Sequence, residues 1–92
     1  MERYITKGVD AQVNPLLQIF MWHLTDTVPS PRDYLQVFEL TSEDGKQKIT
    51  HIQEEPEYKR EYLLGADIPI FIGKIFVIDD ETQMTMLLAE EY

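Results

Sequence analysis

Cysteine is absent from these 92 residues. That removes disulfides, thiolate metal sites and cysteine nucleophiles together, and it suits a reducing compartment. Basic residues are scarce, with 8 Lys and Arg against 17 Asp and Glu and a net charge of −9. A field of that sign aids solubility and repels phosphate backbones, so direct nucleic-acid binding is not expected. The four glycines, at positions 8, 45, 65 and 73, are too scattered for a phosphate-cradling loop. Serine occurs only at Ser30, between two prolines, and at Ser42. Neither sits in a Gly-x-Ser-x-Gly elbow or beside a base that would activate it. No strictly apolar stretch exceeds four residues, Ile75–Ile78 being one. No signal-peptide run follows Met1-Glu2-Arg3-Tyr4, so neither a membrane span nor export is expected and the chain reads as cytoplasmic.

What is present suits one domain over residues 1–92. Hydrophobic residues make up 43% and charged residues 27%, a globular balance able to fill one modest core. Eight of the 17 acids fall in three runs, Glu54-Glu55-Glu57, Asp79-Asp80-Glu81 and Glu90-Glu91, as turns and tails do.

Arg3–Thr6 is a short candidate strand ended by Lys7-Gly8. Asn14-Pro15 marks a helix start, with Asn14 as N-cap and Pro15 where a missing N–H costs nothing. The helix should run to about Thr27, since Pro29 and Pro31 cannot continue it. At 3.6 residues per turn, Leu16, Leu17, Phe20, Met21, Leu24 and Val28 share one face, flanked by Ile19 and His23. Gln18, Thr25 and Asp26 lie opposite. Trp22 lies with them, out of place on a simple amphipathic helix.

Glu43-Asp44-Gly45-Lys46 is a strong hairpin signal between strands Tyr34–Ser42 and Lys46–Gln53. A two-residue turn at Asp44-Gly45 sets Leu40 against Ile49, Val37 against Ile52, Phe38 against His51 and Glu39 against Thr50. A register one residue shorter sets Leu40 against Lys48 and forfeits the apolar pairs. The chosen register is apolar on both faces, with Phe38, Leu40 and Ile49 on one and Leu35, Val37 and Ile52 on the other. That describes an inner part of a sheet covered twice, or a curved sheet wrapping its own core. Tyr58–Leu64 is ambiguous between strand and helical turn and is taken as strand. Lys74–Ile78 and Met84–Leu88 are strands flanking a turn, and Ala89–Tyr92 is a surface tail. The fold class is therefore α+β: a mostly antiparallel, curved five- or six-stranded sheet with one main helix packed on one face.

Arg3-Tyr4-Ile5-Thr6-Lys7-Gly8-Val9, Asp33 to Leu40, Glu43 to Ile49, Gln53-Glu54-x-Pro56-x-Tyr58-Lys59, Lys74-Ile75-x-Val77-Ile78-Asp79-Asp80 and Thr85 to Tyr92 together resemble a family of short proteins from Gram-positive bacteria and their phages. The family is called domain of unknown function 960, and the similarity covers essentially the whole chain. The resemblance implies a bacterial or phage origin and supplies no activity, cofactor or catalytic residue.

Candidate chemistry is thin. His51 faces Phe38 on a strand, where Glu54 points the other way, so the HxxE spacing that serves metals on a helix fails here. His23 flanks an apolar helix face, as a packed histidine would. Asp79-Asp80-Glu81 lacks the spaced ligands of a cation loop. Tyr58-Lys59-Arg60-x-Tyr62 interleaves bases with aromatics, yet Glu54, Glu55, Glu57 and Glu61 crowd the same stretch. No metal, cofactor or small-molecule substrate is inferred.

Trp22 is the most informative single residue: either a second layer covers it, or Trp22, Ile19 and Asp26 form an exposed anchor for a partner. The leading expectation is a non-catalytic protein-interaction module that binds another protein or itself, through this surface or an open sheet edge. The alternative is an acidic decoy that occupies a nucleic-acid-binding protein by imitating phosphate charge. An enzyme with an unrecognised site is the third reading.

Overall fold

Asp44 and Gly45 both take positive φ, 53° and 75°, the type I′ geometry whose twist suits a tight hairpin. The computed structural model describes residues 1–65 and 67–92 and assembles its sheet around this turn. β2 (Leu35–Glu43) and β3 (Lys46–Gln53) pair with Leu40 opposite Ile49, Val37 opposite Ile52 and Phe38 opposite His51. The register that preserves the apolar pairs is the one adopted.

Tyr58–Leu64 is a strand, β4, lying antiparallel along β3. On the other side of β2 runs β5 (Gly73–Asp79), followed by β6 (Gln83–Leu88), both antiparallel to their neighbours. The first strand, β1 (Glu2–Ile5), closes the far edge but runs parallel to β6, with Ile5 beside Met86. The sheet thus has six strands in the order β1-β6-β5-β2-β3-β4 and is mixed. The sheet is mostly antiparallel, as expected, and its one parallel pairing lies at this edge, whose two strands come from opposite ends of the chain.

Two helices follow β1, where one main helix was expected. The strand ends before Lys7-Gly8, which opens α1 (Lys7–Gln12), capped by Thr6, whose Oγ1 accepts from Val9 N. A glycine in so short a helix is unfavourable locally, and the compensation comes from the other end of the chain. Glu91 accepts hydrogen bonds from Thr6 Oγ1 at 2.6 Å, Leu88 N at 2.8 Å and Gly8 N at 3.1 Å. A Cβ on Gly8 would stand 2.7 Å from that carboxylate and from Leu88 Cδ1, so only glycine allows the approach. Within the expected surface tail Ala89–Tyr92, Ala89–Glu91 is therefore a 3₁₀ turn docked on α1. The three hydrogen bonds, Thr6's first, hold the Glu91 carboxyl below the usual glutamate range.

The longer helix, α2 (Pro15–Thr27), begins as anticipated: Asn14 Oδ1 accepts from Leu16 N at 2.8 Å and Pro15 takes the first position. Its buried side is turned relative to the pattern. Leu17, Met21, Leu24 and Thr25 are buried, whereas Leu16 is 60% exposed. Val9 and Val13 join Leu17 in the core, and Gln18 Nε2 donates to Val13 O at 2.9 Å. This tie to α1 draws the Gln18–Trp22 side inward and leaves Leu16 outside. Thr25 tolerates burial because its hydroxyl donates to Met21 O at 2.9 Å.

Both helices contribute to one cluster with Phe38, Leu40, Ile49, Ile75, Val77, Met86 and Leu88, all on one face of the sheet by the pairing registers. The molecule measures 36 × 28 × 20 Å, as two layers should.

Candidate interaction surfaces

The sequence-selected trio lies on α2, and the structure joins two of its members through a residue the sequence reading missed. Trp22 is half-buried against the core cluster. The Arg3 guanidinium, on edge strand β1, lies 4.9 Å from the centre of its ring and also pairs with Asp26. Arg3 so binds the sheet edge to the helix by a cation–π contact and an ion pair. Trp22 therefore stands at the boundary between the buried and open sides of α2, no longer opposite the core. Ile19, at 64% exposed, is on the open side with Leu16, and His23 is exposed beside them.

This open side is almost free of charge. Within the 13 residues of α2 the only Asp, Glu, Lys or Arg is Asp26, and Arg3 neutralises it. In a chain where 27% of residues are charged, a surface helix usually carries several such residues opposite its core. The signal for Arg3 was weak, because its partners lie 19 and 23 positions away.

The second surface is the face of the sheet away from the helices. Strand alternation and register align two apolar rows across it. Leu87, Phe76, Val37 and Ile52 form one row, and Ile78 and Leu35 lead the next. Phe76, Val37, Ile52, Ile78 and Leu35 are all partly exposed, and Tyr92 sets its ring edge-on to Phe76 at 5.6 Å. Beside the rows, Lys74 pairs with Glu39 at 3.7 Å, and Lys48 with Glu43 at 3.3 Å and Glu61 at 3.5 Å. The strand positions on this face carry four acids (Glu2, Glu39, Glu43, Glu61) and four lysines (46, 48, 59, 74). The side chains at these strand positions thus sum to zero charge in a chain whose side chains sum to −9.

His51 belongs to the covered face. Its ring stacks on Phe38 at 4.4 Å and meets Tyr58 edge-on at 5.4 Å. Gln36 Nε2 donates to Gln53 Oε1 at 2.8 Å, which leaves Gln36 Oε1 to accept from His51 Nε2 at 2.7 Å. Gln53 in turn accepts from Asp33 N and donates to Pro56 O. This chain of amides ties the loops at one end of the sheet. Burial drops the imidazole to about 4, so it is neutral at pH 7. The Asp79-Asp80-Glu81 acids serve their own turn, with Asp80 Oδ1 accepting from Thr82 and Gln83 amides. Those bonds, Gln83's first, hold its carboxyl low. Arg60 lies over the Tyr58 ring at 4.6 Å, and Tyr62 meets Phe20 edge-on at 5.5 Å, so the basic–aromatic stretch of β4 is largely engaged within the chain. Two clefts of about 270 and 420 Å³ flank Ile72–Lys74. Among the described residues no three metal-ligating side chains converge.

An α+β sheet domain with helices on one face and a bare, charge-balanced opposite face is the class these observations define. The chain belongs to the family described as staphylococcal protein of unknown function (DUF960), whose model matches residues 2–91. It is similar to a solved structure described as a protein of unknown function from Enterococcus faecalis, with 25% identity and a TM-score of 0.86. That match covers 99% of this chain and 90% of the other. No curated protein matches. No helix among the described residues is long and apolar enough to cross a membrane.

Proposed function

We propose that the protein is a small, non-catalytic, cytoplasmic interaction module that recognises another protein through the open side of α2. The observation that carries this reading is the uncharged helix surface, with Leu16 and Ile19 at 60% and 64% exposure beside a half-buried Trp22. Removing such apolar area from water favours association, and a Trp at the margin supplies the rigid anchor that binding sites favour. Arg3 holds that anchor in place and cancels the single carboxylate beside it.

Affinity purification from the native host, with wild type and Ile19→Glu compared by quantitative mass spectrometry, tests the proposal. A partner recovered in stoichiometric amount by wild type and lost with Ile19→Glu is the expected result. Identical recoveries with both baits, while the variant keeps its fold by circular dichroism, would overturn it.

A further inference from the structure

We propose that the bare face of the sheet is buried against the same face of a second copy, about a twofold axis parallel to the strands and midway between β2 and β5. This goes beyond recognition through α2, since it uses the opposite side of the molecule and a different partner.

The self-complementarity follows from register. β5 and β2 are the two central strands of six. A twofold axis between them keeps each cross-strand row in place and exchanges β5 with β2 and β6 with β3. Phe76 of one copy, with Tyr92 edge-on to it, then meets Val37 of the other, and Ile78 meets Leu35. In the adjoining row, Lys74 meets Glu39. Each apolar side chain finds an apolar one, and the intrachain ion pair gains a crossed counterpart between copies. An axis running across the strands instead lays Lys74 over Ile78 and Glu39 over Leu35, burying charge against hydrocarbon at a heavy cost. The charges thus select one orientation. Aligned sheets pack within about 30° of parallel, so the rows nearest the axis stay matched.

Net charge points to the same face. Two bodies of −9 repel, and they approach most easily where strand lysines and glutamates balance, as they do on this face. Size is adequate too: six strands about 4.8 Å apart and ~20 Å long span roughly the footprint of a standard interface. The hairpin, apolar on both sides, is then covered twice, by helices within the chain and by a sheet from its partner.

Sedimentation velocity across the micromolar range, on the full chain, tests this. Wild type should sediment as a dimer, and Phe76→Glu as a folded monomer by circular dichroism. Glu39→Lys and Lys74→Glu each place like charges across the axis, and each should weaken self-association about tenfold or more. Mixing those two variants restores both crossed pairs, so a heterodimer should form from two monomeric stocks. Ile19→Glu should leave the dimer intact, which separates this proposal from recognition through α2. A wild type that stays monomeric, a dimer indifferent to the Glu39 and Lys74 reversals, or a mixture that forms no heterodimer would each overturn the inference.

Discussion

The two faces of the sheet are built from the same strands, residue by residue in alternation, and meet opposite fates. Phe38 and Phe76 lie on adjacent central strands, in neighbouring cross-strand pairs. Phe38 is fully buried under the helices, while Phe76 is partly exposed with the Tyr92 ring edge-on to it. The covered face also holds the buried polar residues Gln36, Gln47, His51 and Gln53; the three amides bond to loop backbone, and His51 bonds to Gln36. On the bare face Lys48 and Lys74 pair with Glu43, Glu61 and Glu39 in reach of water. Helices on one side of a strand convert its alternation into a sealed core and an open surface. The open surface still carries an apolar patch at its centre, which is the reason to seek a partner for it.

Truncation should separate the faces most sharply. Phe38→Ala is expected to cost about 3–5 kcal/mol, since a large cavity opens in a packed layer. Phe76→Ala, measured at dilution where the chain is monomeric, should cost about 1–2 kcal/mol, because the ring leaves water only in part. Urea titration of both variants checks the contrast, and equal losses would mean the bare face is covered within the chain.

The next effect comes from acid. Unfolded His51 takes up a proton near pH 6.5, whereas the folded ring resists until about pH 4. The unfolded state therefore binds more protons in that window, and stability should fall as pH drops through it. The loss approaches about 3 kcal/mol by the bottom of the window. His51→Gln should flatten the upper part of the slope in chemical denaturation at stepped pH. Below it, Glu91 adds a second decline as its depressed carboxyl is protonated.

Gly8→Ala is a smaller perturbation, about 1–3 kcal/mol, as the Glu91 clasp must move to admit the methyl group. Thermal unfolding of Gly8→Ala, with Glu91→Gln as the companion variant, measures it. Smallest of all, Leu16→Glu and Ile19→Glu should leave stability within about 0.5 kcal/mol of wild type. A large loss there would show that the open side of α2 is packed, removing the surface on which recognition is proposed.

Much of the architecture was legible because its causes are local. Asp44-Gly45 allows the left-handed backbone that a two-residue turn needs, and Leu40, Val37, Ile49 and Ile52 then admit one register. Asn14-Pro15 and the prolines after Thr27 bound α2 by the same local chemistry. The interaction surface was legible only as an anomaly. Trp22 stood out against the helical pattern, yet its neighbour Arg3 did not, because nothing near Arg3 in the chain points to a helix 19 residues on. The turn of α2 about its axis was equally hidden, since Thr25 was read as polar before Met21 O was there to satisfy it.

What the amino-acid order determined by itself was where the chain turns, which segments alternate and which residues pair across the hairpin. Those depend on neighbours within a few positions. Tertiary structure decided that Lys7-Gly8 begins a helix, that β1 lies parallel to β6, and that Leu16 faces water while Thr25 does not. The first two depend on contacts between distant parts of the chain, Glu91 on Gly8 and Ile5 beside Met86, and the third on how α2 packs against α1 and the sheet. It also decided which of two apolar faces was sealed, because the helices can cover only one.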